Sequence, residues 1–140
     1  VSPEQIMDQF RIEYLDRKEP LHFRKLHVSD LSGETKTQFD TKVEVGYTDH
    51  GELKTFEAVG NGPIDAAQRG MQESLGVSIK VLDYEEHALQ SGSNSQAAAY
   101  IHLLDSETGR VTYGVGVSSN ITRASIRALF SAVNRLELGK

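Results

Sequence analysis

The chain has 140 residues, 38% of them hydrophobic, a formal net charge of −5 at pH 7 and no cysteine. The missing cysteines exclude disulfides, thiolate metal ligands and a cysteine nucleophile, and the acidic balance leaves no basic field that would attract nucleic acid. No run reaches the roughly 18 apolar residues of a membrane helix, and the first residues lack the basic and apolar regions of a signal peptide. We expect a soluble cytoplasmic chain of one domain's size, without a nucleic-acid or membrane partner.

The first predicted element is an amphipathic helix over residues 3–17. Ser2 suits the N-cap, Pro3 the first helical position and Gln5 the capping box, and the helical pattern stops before Pro20. A lone amphipathic helix ahead of a strand-rich region often belongs to something upstream. We therefore interpret residues 1–20 as a helix and linker from an upstream connecting subdomain, and the chain as a fragment of a larger protein.

From Leu21 the hydrophobic period changes to two, which predicts strands over residues 23–28, 39–47 and 53–59. The loop Gly60-Asn61-Gly62-Pro63 then precedes a helical pattern that ends at Gly76. This order, three strands and a helix, defines a first unit over residues 21–77.

The same order repeats in a second unit over residues 78–140. Strands are predicted over residues 79–89, 97–104 and 110–117, and a helix follows Asn120. Gly62 and Asn120 match at an offset of 58 residues (62 to 120), which also brings Ala66 onto Ala124. The predicted fold class is α+β, with two tandem βββα units preceded by one helix.

Both faces of the strand over residues 97–104 are apolar. Ala97, Ala99 and Ile101 alternate with Ala98 and Tyr100, so neither face is suited to water alone. This pattern favours a homodimer interface, with packing inside the chain as the alternative.

Each glycine loop precedes a helix start, where free backbone N–H groups and the helix dipole can bind a small carboxylate. An ordinary turn and cap would use the same residues. Gly60-Asn61-Gly62-Pro63 lacks the Lys and Ser/Thr of a nucleotide P-loop, so a nucleotide site is not expected.

Catalysis has little support in the sequence. Asp83, Glu85 and His87 share one face of a predicted strand, where a carboxylate beside an imidazole suits acid/base chemistry, but a solvated strand face is the commoner meaning of such a row. The five histidines form no metal-binding motif. We expect no catalytic residue and no metal site in this chain.

Four separated motifs, in order, resemble the C-terminal regulatory domain of 2-isopropylmalate synthase. They are GNGPIDA (60–66), VLDYEEHA (81–88), SQAAAY (95–100), and GVGV (114–117) followed by NITRAS (120–125) and AVNR (132–135). The resemblance covers nearly the whole chain, including the first helix, which is similar to the connecting subdomain ahead of the regulator.

The resemblance implies a function for the parent and for this part of it. The parent family condenses acetyl-CoA with 2-oxoisovalerate in a metal-dependent TIM barrel, and its C-terminal domain dimerises and binds leucine as feedback inhibitor. This chain contains none of the barrel, so it is expected to be inactive alone and to need no cofactor itself, although the parent needs a divalent metal. Its expected partners are L-leucine, a second copy of the chain and the upstream barrel.

The same resemblance implies an effector site from three parts of the chain. Asp65 is the candidate partner of the leucine ammonium group, with a first-turn helix role as the alternative, and Asp65 and Ser95 stand where some relatives carry alanine. The site residues are Gly62, Ile64 and Asp65 after the glycine loop, Val81, Tyr84 and Ala88 on the long strand, Ser95 after the turn, and Ile121 at the second helix start.

Other functions stay open on the sequence alone. The domain could sense isoleucine on a citramalate synthase, because one methyl group's position gives only modest discrimination. It could also be a dimerisation module without an effector, or, least favoured, a small enzyme that uses Asp83, Glu85 and His87.

Overall fold

The structure is a computed structural model that describes residues 20–31, 38–89 and 96–136. The predicted helix over residues 3–17 and the site residue Ser95 lie outside these ranges. The predicted end of the second unit, at residue 140, also lies outside these ranges.

The first unit contains three antiparallel strands in sequence order, followed by a helix. The loop His50-Gly51 joins the second and third strands with φ values of 51° and 85°, the left-handed conformations of a tight hairpin turn. Gly76 closes the helix in the left-handed conformation, as the sequence predicts. The elements are β1 (Leu21–Asp30), β2 (Thr41–Asp49), β3 (Glu52–Gly60) and α1 (Pro63–Leu75).

The second unit repeats this order in a second three-stranded antiparallel sheet. Its elements are β4 (Ile79–Ala88), β5 (Ala97–Asp105), β6 (Val111–Ser118) and α2 (Ile121–Asn134). The duplicated βββα architecture and the α+β class are therefore confirmed, with strand ends that differ from the predicted ones by one or two residues.

The first strand of each unit carries a β-bulge at the equivalent place. In β1 the pairing shifts between Phe23 and Lys25, and in β4 it shifts between Val81 and Asp83. A bulge inserts one extra residue and so changes which face the following side chains occupy. The sequence analysis did not predict either bulge.

Each helix packs on the sheet of its own unit and also contacts the edge strand of the other unit. From α1, the side chain of Gln68 accepts the Val81 N–H at 3.1 Å. From α2, the buried Asn134 amide accepts the Leu21 N–H at 3.1 Å and donates to the Leu21 carbonyl at 2.8 Å. The outer edges of β1 and β4 are thus partly satisfied by side chains of the opposite unit.

One hydrophobic core joins the two units. Phe130 of α2 lies 5.5 Å from the ring of Tyr47 on β2 and 5.9 Å from Phe23 on β1, centroid to centroid. The same core contains Ala99, Ile101 and Leu103 of β5. This face of β5 is therefore buried inside the chain, which is the intramolecular packing that the sequence analysis gave as the alternative.

The faces of the two sheets that point away from this core differ in polarity. The first sheet presents Lys42, Glu44 and Glu57, and Lys42 lies 3.6 Å from Glu57. At the equivalent positions the second sheet presents Ala98, Tyr100 and Val115, of which Ala98 and Val115 are buried.

Within the described part of the chain, no helix is long and apolar enough to cross a membrane.

Candidate effector site

The bulge in β4 brings the predicted pocket residues of this strand onto one face. Val81 pairs with Leu103, and Tyr84 pairs with Ile101. Residues three apart on a regular strand face opposite sides, so only the extra residue at Leu82 lets Val81 and Tyr84 both face the core. By the same register, this face continues through Glu86 and Ala88.

Tyr84 joins β4 to the first turns of α2. Its hydroxyl donates to Glu86 Oε2 at 2.6 Å and lies 2.8 Å from Ser125 Oγ. The Ser125 hydroxyl in turn donates a hydrogen bond to the Ile121 carbonyl at 2.9 Å. Burial, and next the hydrogen bond to Glu86, raise the pKa of Tyr84 above its ordinary value of 10.0.

The opposite helix reaches the same strand. Because Gln68 of α1 accepts the Val81 N–H, Val81 and Tyr84 lie where α1, β4 and α2 meet. Ile64, in the first turn of α1, packs against the shared core, and Ile121, the first residue of α2, is 37% exposed. Hydrogen bonds therefore link Val81 to α1 and link Tyr84, through Ser125, to the Ile121 carbonyl of α2, and we call this meeting point of β4 with the two helices the junction.

Carboxylates of the chain itself occupy the start of α1. Gly62, with φ of 93°, donates its N–H to Asp40 Oδ1 at 3.0 Å. Asp65 Oδ2 accepts the Asn61 N–H at 2.9 Å and the Arg69 Nε–H at 3.0 Å. Asp65 thus has the geometry of its alternative interpretation, a first-turn residue whose carboxylate lies at the positive end of the helix dipole.

The start of α2 carries a neutral cap instead. Asn120 Oδ1 accepts the Arg123 N–H at 3.0 Å, and the first turn contains no acidic residue. The positive end of this helix dipole is therefore not neutralised by a carboxylate of its own first turn. Of the two helix starts, that of α2 is the better suited to an anion.

The site face of β4 becomes exposed to solvent towards the end of the strand. Ala88, the last residue of β4, pairs with Ala97 and is exposed, although its register places it on the core face. Two clefts of about 630 and 190 Å³ lie elsewhere, the first beside Phe39, Lys42 and Arg69 and the second beside Leu21 and Asn134. No described residue of the predicted site lines either cleft.

The row Asp83, Glu85 and His87 lies on the other face of β4, as the sequence predicts. His87 Nε2 is 3.9 Å from Glu85 Oε2, and all three side chains are exposed. No group of three or more metal-ligating side chains occurs within the described ranges. This geometry is that of a solvated strand face.

Sequence reasoning missed two polar members of the junction. Glu86 follows Tyr84 by two residues, a spacing that places both on one face of a strand. Ser125 follows Ile121 by one helical turn. Both signals are present in the sequence, but many exposed polar residues show the same spacings.

Two tandem βββα units that share one core define a duplicated α+β domain, in which two helices meet an edge strand. Comparison with known proteins agrees, since residues 1–137 match the family model described as the LeuA allosteric (dimerisation) domain. The chain belongs to this family.

Among the known proteins that resemble this chain are 2-isopropylmalate synthases that are much longer than the chain itself. A 2-isopropylmalate synthase of Clostridium acetobutylicum is 35% identical over 138 residues, which is 99% of this chain and 24% of the relative. Those of Kocuria rhizophila and Kineococcus radiotolerans are 39% and 44% identical, over 96% of this chain and 23% of each relative. The chain therefore spans about a quarter of the length of the curated relatives it matches.

Proposed function

We propose that this chain is the allosteric domain of a 2-isopropylmalate synthase and that it binds L-leucine as feedback inhibitor. The observation that carries the proposal is the placement of Val81 and Tyr84 on one face of β4, at its junction with both helices. Apolar side chains from three elements suit a branched aliphatic group, and polar groups lie at the rim. Ala88, which is exposed at the end of β4, belongs to the proposed site, and Ser95 is proposed as a further site residue from the resemblance alone.

The α-carboxylate of leucine is proposed to bind at a helix start. The N–H groups of the first turn of α2 are the better candidates, because Asn120 caps this helix without adding a negative charge. At α1, Asp40 and Asp65 already accept the N–H groups of Gly62 and Asn61.

We further propose that the chain forms a homodimer, in line with the dimerisation role in the description of its family. The apolar part of the outer face of the second sheet, formed by Ala98, Tyr100 and Val115 on β5 and β6, supports this proposal, because the equivalent positions of the first sheet are charged. Leucine that tightens or rotates such an interface would influence a distant active site, with a coupling free energy of about 1–3 kcal/mol.

The activity of the parent belongs to the proposal as well. An upstream TIM barrel with a divalent metal would condense acetyl-CoA with 2-oxoisovalerate, and the present chain alone would turn over neither substrate. Residues 1–20 would connect the two parts, and residues 21–77 and 78–140 would form the two units of the regulator.

Ligand-induced stabilisation tests leucine binding directly. Leucine at one hundred times its dissociation constant should raise the free energy of unfolding by about 2.7 kcal/mol, because it binds only the folded chain. Thermal unfolding with leucine, isoleucine and valine separates the alternatives. A larger shift with isoleucine would favour a citramalate synthase, and no shift with any of them, in a folded dimer, would favour a dimerisation module without an effector.

Substitutions at the junction test the site. Tyr84→Ala and Ile121→Asp should abolish the leucine shift while the far-ultraviolet circular dichroism stays that of a folded chain. Leu53→Asp is the matched control for Ile121→Asp, since Leu53 is 70% exposed on the outer face of the first sheet, away from both the site and the proposed dimer face. Unchanged leucine affinity in both junction variants would place the effector elsewhere.

A further inference from the structure

We propose that Glu86 receives the ammonium group of the amino-acid effector, and that it rather than Asp65 distinguishes amino acids from carboxylic acids without an amine. The inference rests on the proposed function, because it assigns a residue of the same site. It makes Glu86 a specificity-determining residue.

The register of β4 places Glu86 on the site face. Glu86 pairs with Ala99, whose side chain belongs to the buried core. It stands between Tyr84 and Ala88, both of which the resemblance assigns to the pocket. The neighbouring Glu85 pairs with Tyr100 and therefore faces the other way.

A hydrogen bond fixes the orientation of the Glu86 carboxylate. The Tyr84 hydroxyl donates to its Oε2 at 2.6 Å, and that hydroxyl lies 2.8 Å from Ser125 of α2. The carboxylate is thus held towards the helix start proposed for the effector carboxylate. A zwitterion is held by a negative group for its ammonium and a positive one for its carboxylate, and here a negative side chain and a helix start supply the two.

Glu86 also retains capacity for a cation. Within the described ranges, no lysine, arginine or histidine forms an ion pair with it. Asp65 differs, because its Oδ2 accepts both the Arg69 guanidinium at 3.0 Å and the Asn61 N–H. An ammonium group at Asp65 would have to compete with a cation of the chain itself.

The ligand pair leucine and 4-methylpentanoate isolates the ammonium contact, since the second molecule is leucine without its amino group. Calorimetric titration of the 140-residue chain should give tighter binding of leucine than of 4-methylpentanoate. Glu86→Gln should weaken leucine binding about tenfold, the usual effect of losing a charged hydrogen-bond partner, and leave 4-methylpentanoate binding unchanged.

Two further variants make the assignment specific. Glu85→Gln removes the same charge one residue away on the opposite face, and it should leave both affinities unchanged. Asp65→Asn should not reduce the preference for leucine. Because Glu86 and Glu85 are exposed on β4, neither substitution should alter the circular dichroism of the folded chain.

The outcomes distinguish this inference from the function it rests on. If the unsubstituted chain binds neither leucine nor isoleucine, the proposed function fails and this inference fails with it. If leucine binds and Glu86→Gln keeps the full preference over 4-methylpentanoate, only the assignment of Glu86 is overturned. An equal loss in Glu85→Gln would overturn it too, because the effect would then be one of net charge.

Discussion

Tyr84 is the residue on which the junction depends most. Its hydroxyl connects a carboxylate on β4 with a hydroxyl on α2, so one side chain spans the contact between strand and helix. Because the bulge at Leu82 turns Tyr84 towards the core, a local irregularity of the strand creates the site face.

The raised pKa of Tyr84 makes a prediction about alkaline pH. Because the folded chain favours the neutral phenol, its stabilising effect is fully present below the unfolded pKa of 10.0 and is lost as the pH rises through the higher folded pKa. The free energy of unfolding should therefore fall more steeply as the pH rises above about 10 in the unsubstituted chain than in Tyr84→Phe.

Urea unfolding followed by circular dichroism at several pH values measures this difference. The comparison with Tyr84→Phe cancels the ionisation of the other tyrosines, which both proteins share. Parallel pH dependences would contradict the role of the Tyr84 environment.

At the scale of elements, the two helices approach their sheets in different ways. In the first unit, a Cβ added at Gly70 of α1 would clash with the ring of Phe56 on β3. In the second unit the glycines stand on the strand instead, and a Cβ at Gly114 of β6 would meet the α2 backbone at Ala128 and Ala132. At these two positions the glycine stands on the helix in one unit and on the strand in the other, and in each case it leaves room for close packing of helix on sheet.

Gly114→Ala should therefore destabilise the chain. The added methyl group would meet backbone atoms and lie 2.9 Å from Ser131 Cβ, and overpacking of this kind typically costs about 1–3 kcal/mol. The measurement is the free energy of unfolding in urea.

Gly46→Ala on β2 is the control, because its Cβ would meet only Lys25 Cβ at 3.3 Å and Thr55 Cγ2 at 4.0 Å. We expect little change in stability there. A cost at Gly114 no larger than that at Gly46 would show that α2 can move away from β6 without penalty.

At the scale of the whole molecule, the duplication provides an internal comparison. Both sheets are built on the same register, yet one outer face carries Lys42, Glu44 and Glu57 and the other carries Ala98, Tyr100 and Val115. A sheet face that contacts only water is usually polar, whereas a contiguous apolar patch on a surface marks an interaction site. We expect the outer face of the second sheet to contact a second copy of the chain.

Val111→Asp and Leu53→Asp form a matched pair for this expectation. Val111 is the first residue of β6 and Leu53 the second residue of β3, and both lie on the outer face of their sheet. Their exposed fractions are 55% and 70%. Val111→Asp should weaken the dimer because it places a charge against an apolar interface, whereas Leu53→Asp should not. Sedimentation equilibrium over a range of concentrations measures the dissociation constant, and equal effects of the two substitutions would exclude this face.

The sequence determined the order of the elements and much of their boundaries. Hydrophobic period two, the turn at His50-Gly51, the cap residue Asn120 and the terminator Gly76 are local signals, because each acts through backbone conformation within a few residues. The duplication and the family resemblance could be recognised from the same local patterns.

Only the tertiary structure decided which side chains meet. The sequence placed Asp65 in the candidate site, but whether its carboxylate faces a ligand or Arg69 depends on the geometry of the folded loop. Glu86 and Ser125 gained their roles from the bulge in β4 and from the approach of α2. Both depend on contacts between residues about 20 to 40 positions apart in the chain, and no periodicity within a single element encodes such contacts.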